Sequence, residues 1–168
     1  MPNHIILKNK IKNFNKKITV SGDKSISIRW VLFSSIASGV SSASNLLMSE
    51  DVLTAINAIK KLGIKVSLNK NICKIYGKGI NGYNYKKNLS INSGNSGTLG
   101  RLILGLIINT PHSIKLIGDK SLSNRDFKRV SDPLSNFGAS FKLIKNKYLP
   151  LKIIGSSKLK PIKYLENR

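Results

Sequence analysis

Gly22-Asp23-Lys24-Ser25-Ile26-Ser27-Ile28-Arg29 returns 96 residues later as Gly118-Asp119-Lys120-Ser121-Leu122-Ser123-Asn124-Arg125, with six of the eight positions identical. Each copy follows a short β-branched run and leads into a helix-like segment. Each therefore places a glycine turn, a lysine, small hydroxyls and an arginine where a helix begins. Backbone N–H groups and the positive end of a helix dipole attract an anion at such a place, and Lys and Arg add full charges.

Outward from these copies, the hydrophobic pattern divides the chain into two similar units. In the first, Ile18-Thr19-Val20 reads as a strand and Ser25 to Ala37 as a helix, with Ile28, Leu32 and Ile36 on one face and Gly39 ending it. Ser42 to Leu47 is a second strand. Ser49 is placed to cap a helix that carries Glu50 and Asp51 in its first turn and buries Val52, Ile56, Ile59 and Leu62. Gly63 stops it, and Ile64–Leu68 with Ile72–Tyr76 form a hairpin across Asn69-Lys70-Asn71.

The second unit repeats this order. Leu89–Ile91 is a strand, Gly94–Gly97 a tight loop, Thr98–Ile108 a helix and Ser113–Ile117 a strand. Arg125–Phe137 reads as a helix ended by Gly138, with Ala139–Ile144 and Leu149–Ile154 as its hairpin. The expected class is mixed α/β, with the order β-α-β-α-β-β repeated. Lys158 to Arg168 completes no unit, which suggests an N-terminal fragment of a longer protein.

The charge is extreme: Lys and Arg number 29 against 7 Asp and Glu, a formal +22. An anionic partner fits this. So does the drift of an Ile-, Asn- and Lys-rich composition, because the lysines are scattered from Lys8 to Lys163. The arginines are sparse and more telling: Arg29, Arg101, Arg125, Arg129 and Arg168. The lone Cys73 cannot form an internal disulfide and reads as a core residue, favouring a reducing compartment. No secretory h-region or membrane span is legible, so a cytoplasmic protein is expected. His4 and His112 are isolated and suggest no metal centre. Asp51 and Asp132 read as residues that open helices.

Three loops carry the candidate chemistry. The first holds Lys24, Ser25, Ser27 and Arg29. Arg29 lies one turn beyond Ser25 and can reach the same ligand with bidentate geometry. The second is Asn92-Ser93-Gly94-Asn95-Ser96-Gly97-Thr98, followed by Arg101. Its glycines admit close backbone approach, yet it has neither Walker nor G-x-G-x-x-G spacing. The third runs from Asp119 to Arg129, where the motif repeat matches Arg125 to Arg29.

In combination, K-S-x-S-x-R at Lys24–Arg29 and G-N-x-G-T at Gly94–Thr98 resemble the N-terminal part of the 5-enolpyruvylshikimate-3-phosphate synthase family. Asn45-Leu46-Leu47, Gly118-Asp119 to Arg125, Arg129-Val130, Asp132-Pro133-Leu134 and Leu149-Pro150-Leu151 extend the likeness over nearly the whole chain after Lys17. The resemblance implies a two-domain protein of six units, two of them here. Residues 1–20 would belong with the other domain, and residues 21–168 would form an incomplete substrate-binding domain.

It further implies transfer of the enolpyruvyl group of phosphoenolpyruvate to the 5-hydroxyl of 3-phosphoshikimate, without metal or organic cofactor. Lys24, Ser25 and Arg29 would bind 3-phosphoshikimate. Lys24, Gly97 and Arg125 would bind phosphoenolpyruvate, with Asn95, Thr98 and Arg101 in support. No proton-transfer residue is expected in this segment, so the chain alone would be inactive. Leu102 departs from the proline that many members carry there, and bears on glyphosate sensitivity. A monomer with no nucleic-acid or membrane partner is the implied state. The rivals are the sister transferase acting on UDP-N-acetylglucosamine, which usually has Lys-Asn in place of Lys24-Ser25, a basic nucleic-acid-binding module, and a non-enzymatic remnant.

Overall fold

The computed structural model describes residues 6, 8, 10, 13, 15–110 and 112–165. His4, Arg168 and most of the segment before Asn15 lie outside the described residues. The segment expected to associate with another domain, residues 1–20, lies partly outside the described residues.

Helix α1 (Lys24–Ile36) starts where the sequence places it, because the Asp23 carboxylate accepts the Ile26 N–H at 2.7 Å. Its buried face, Ser27, Ile28, Val31, Leu32, Ser34 and Ser35, follows the spacing of a helical stripe. Strand β1 (Ser38–Ser44) follows and ends at Asn45, whose φ of 56° is incompatible with a strand. Helix α2 (Glu50–Lys61) carries acids in its first turn and lysines in its last, matching the macrodipole at both ends. Strands β2 (Lys65–Asn69) and β3 (Ile72–Lys78) complete a sheet of order β1-β3-β2, antiparallel throughout.

The second unit contains β4 (Leu89–Asn92), α3 (Gly97–Leu106), β5 (Ile114–Ile117), the short α4 (Lys120–Ser123), α5 (Lys128–Asn136), β6 (Ser140–Ile144) and β7 (Tyr148–Ile154). Its sheet has the order β4-β5-β7-β6, with β4 parallel to β5 across the α3 crossover and the other pairs antiparallel. Buried residues of both units form one hydrophobic cluster, running from Ile28 and Ile59 to Ile103, Phe127 and Ile153. The expected mixed α/β class is observed, but the β-α-β-α-β-β order is only partly kept: among the described residues the first unit lacks its opening strand, and the second carries two helices, α4 and α5, ahead of its hairpin.

Several local expectations change. Ile18–Val20 is not a strand. Ile18 and Val20 are 70 % and 69 % exposed, so the β-branched side chains bury nothing, and one bond from Asn45 Nδ2 to Val20 O at 3.3 Å ties the segment down. Ser49 holds the N-cap position of α2, but its side chain makes no capping bond. Asp132 opens no helix; it lies within α5 and pairs with Lys128 at 3.8 Å.

The helix expected over Arg125–Phe137 is broken. Asp126 Oδ1 accepts the Lys128 N–H at 2.6 Å, and the Phe127 N–H donates to Lys147 O at 2.8 Å. Those bonds divert two N–H groups from the i→i−4 ladder, and α5 begins only at Lys128 with Phe127 as its N-cap.

The two motif copies also occupy different places in the repeat. The first opens α1, the helix after a unit's first strand position. The second follows β5 and opens α4. The structural counterpart of the α1 start is the Ser96-capped start of α3. Arg125 is therefore not the counterpart of Arg29 in the fold, although the residues of the two octapeptides match.

Candidate functional site

Gly97 opens α3 beneath two guanidinium groups. A Cβ at this position would lie 3.0 Å from Arg101 Nη1 and 3.1 Å from Arg125 Nη1. Helix geometry explains the first, since Arg101 stands one turn along α3 from Gly97. Tertiary structure explains the second, since Arg125 comes from the loop between α4 and α5. The α3 N-terminus is capped by Ser96 Oγ, which accepts the Leu99 N–H at 3.3 Å.

Hydrogen bonds join the surrounding loops. The Asp119 N–H donates to Gly94 O at 2.8 Å and the Ser93 N–H donates to Ile117 O at 2.9 Å. Asn95 Nδ2 donates to Asp119 Oδ2 at 2.6 Å, and Arg125 Nη2 donates to Asn95 Oδ1 at 3.2 Å. Thr98 is half-buried in the first turn of α3. Arg101 lies over the Phe127 ring, 5.5 Å from its centroid, and its Nη2 reaches Asp126 O at 3.5 Å. Arg101 Nε is buried and donates to no described residue.

Within this cluster the charged form of Arg101 is disfavoured. Burial lowers the Arg101 pKa first, and the neighbouring Arg129 and Arg125 charges lower it further, with Asp126 opposing. Like charges gathered around a glycine at a helix start form a preorganised seat for a negative group.

Lys24, Ser25 and Arg29 lie on the first two turns of α1. Lys24 Nζ pairs with Asp51 Oδ2 on α2 at 3.1 Å, and Ser27 Oγ accepts the Leu47 N–H at 3.1 Å. Asp51 thus holds the Lys24 side chain through an ion pair. Ser25 is half-buried and Arg29 exposed. Arg29 shares a small groove with Leu32 and Phe33 of α1 and Leu102 and Leu106 of α3, so it borders the helix that carries Arg101. The α2 side is linked too, because Thr54 Oγ1 lies 3.8 Å from the Cβ position of Gly94.

The structure therefore brings Asn95, Gly97, Arg101 and Arg125 into direct contact. Among the described residues, no hydrogen bond or ion pair joins Lys24 or Arg29 to that cluster. A larger groove on the open face of the second sheet, lined by Leu89, Lys115, Lys142, Ile144, Pro150 and Lys152, contains none of these residues. Sequence reading assigned no role to Asp119. The available signal was the Asp shared by both octapeptides, which caps a helix in each.

A family model described as EPSP synthase (3-phosphoshikimate 1-carboxyvinyltransferase) matches residues 8–167. The chain belongs to the EPSP synthase family. The 3-phosphoshikimate 1-carboxyvinyltransferase of Streptococcus agalactiae is 44 % identical over 148 residues, covering 88 % of this chain and 34 % of that protein. That of Bacillus cytotoxicus is 42 % identical over 154 residues, covering 91 % and 36 %. A solved EPSP synthase from Acinetobacter baumannii superposes with a TM-score of 0.82 at 33 % identity, over 89 % of this chain and 34 % of that one. The chain spans about a third of the length of these EPSP synthase relatives. No helix among its described residues is long and apolar enough to cross a membrane.

Proposed function

We propose that this chain supplies part of an enolpyruvyl transferase site, in which the 5-hydroxyl of 3-phosphoshikimate attacks phosphoenolpyruvate. The convergence of Arg101 and Arg125 over Gly97, in a member of the EPSP synthase family, carries the reading. The hydroxyl gives up its proton as its oxygen bonds to the enol carbon, while the methylene carbon takes a proton and becomes a methyl group. Loss of a methyl proton and of phosphate then restores the double bond on the new ether. The steps need no metal, organic cofactor or oxidant.

The contribution of these residues is binding and orientation. Two anions held about 4 Å apart repel by about 4 kcal/mol per pair of unit charges at an effective dielectric near 20. Cations from separate loops offset this and hold the reacting atoms in place. On this reading Lys24, Ser25 and Arg29 take 3-phosphoshikimate, with Arg29 at its carboxylate. Gly97 and Arg125 take phosphoenolpyruvate, and Lys24 lies between the two. Asn95, Thr98 and Arg101 support the Gly97 loop. The protein acts in the cytoplasm on small molecules, as a monomer, without a nucleic-acid or membrane partner.

The test is a titration of the 168-residue chain with 3-phosphoshikimate, followed by NMR. Saturable shifts at the α1 N-terminus, lost in Arg29→Ala, are expected. A dispersed spectrum that 3-phosphoshikimate leaves unchanged overturns the assignment of these α1 residues.

A further inference from the structure

Asn95 is the member of the arginine cluster whose orientation is dictated from both sides. A carboxylate can only accept hydrogen bonds and a guanidinium can only donate them. An amide between the two satisfies both in one orientation, with Nδ2 toward Asp119 and Oδ1 toward Arg125. The observed distances are 2.6 Å to Asp119 Oδ2 and 3.2 Å from Arg125 Nη2. We propose that Asp119 is a positioning residue, which holds the Arg125 guanidinium over Gly97 through the Asn95 side-chain amide. What Arg125 binds there rests on the function proposed above; the positioning itself does not.

Asp119 is well anchored for this task. Its Oδ1 accepts the Leu122 N–H at 2.7 Å, and its own N–H donates to Gly94 O at 2.8 Å. The carboxylate is thereby locked to both the Asn95 loop and the segment leading to Arg125. Arg125 needs such a hold, because its exposed side chain is rotamer-rich and stands next to Arg101, whose charge pushes it toward solvent. A direct Asp–Arg pair would fix the guanidinium but would engage its donors and neutralise its charge. An intervening amide orients it and leaves the charge available to an anion.

Asp119→Asn separates this role from capping, because Asn caps a helix about as well as Asp. The variant keeps the Leu122 bond but turns a second amide toward Asn95, setting donor against donor. In the ligand-free, isotope-labelled chain, the Asn95 Nδ2 and Arg125 Nε resonances are expected to move, while the Leu122 amide stays in place. The dissociation constant for phosphoenolpyruvate is expected to rise about tenfold, the worth of one charge-assisted hydrogen bond. Asn95→Ala should give the same change at Arg125, and adding Asp119→Asn to it should do no more.

Unmoved Asn95 and Arg125 resonances in Asp119→Asn, or additive losses in the double variant, overturn the proposal. The resonances decide the positioning without ligand. If they move in the variant while the parent chain does not bind phosphoenolpyruvate, the positioning stands and the substrate assignment falls.

Discussion

At Gly97 the atoms that crowd an added methyl are the far ends of two arginines, at 3.0 and 3.1 Å. Gly97→Ala should therefore displace the guanidiniums while sparing the fold. The expected outcome is a loss of phosphoenolpyruvate affinity of about tenfold, read by titration, with little change in the denaturation midpoint. Gly63 is the opposite case. It holds φ at +86°, and its Cβ would collide with the backbone carbonyl of Asn84. Gly63→Ala should cost about 1–3 kcal/mol of stability in urea unfolding. Asp119 adds a pH dependence. Its carboxyl is held below the usual carboxylate range, first by the Leu122 N–H and then by Asn95, with a smaller contribution from Arg125. A carboxyl depressed in the folded state stabilises above its unfolded pKa, and that contribution is lost as pH falls through the folded value. The stability gap between the parent and Asp119→Asn should therefore narrow as pH falls through the carboxylate range. The candidate residues were legible at this scale because motifs preserve residue types. The Asp119–Asn95–Arg125 connection was not, because it joins residues from different loops.

Along the second sheet, Lys115, Lys152 and Lys142 are direct cross-strand neighbours on β5, β7 and β6. All are exposed and alternate with buried Ile114, Leu116, Leu151 and Ile153, which places them on the solvent face. Like charges opposite one another in a sheet destabilise it. Lys152→Glu should convert both pairs to attractions and raise stability by about 0.5–1 kcal/mol. The gain should shrink at high salt, as thermal unfolding at low and high ionic strength would show. The sequence pattern located these strands to within a few residues, since alternation depends on local side chains. It failed at Arg125–Phe137, where an apolar helical period was present but bonds to Asp126 and Lys147 decided the backbone. It differed also at Ile18–Val20, which forms no strand with the described residues and is exposed.

Both units share one core, in which α1 packs on α3 and Ile103 is fully buried. Ile103→Ala should cost about 2–5 kcal/mol. Hydrogen exchange at Ile75 in the first sheet and Ile153 in the second should weaken together if the units unfold as one. Independent loss of either would show two separate cooperative units. Most of the order of strands and helices, and their stripes, could be read from the sequence, because propensity, capping and period are set by residues within a turn or two of each other. So could the family, because the K-S-x-S-x-R and G-N-x-G-T motifs are contiguous. The register of the octapeptides within the repeat, the break before α5 and the meeting of Arg101 with Arg125 over Gly97 were settled only in three dimensions. Each depends on bonds and packing between segments that are distant along the chain, and their energies exist only once the core has brought those segments together.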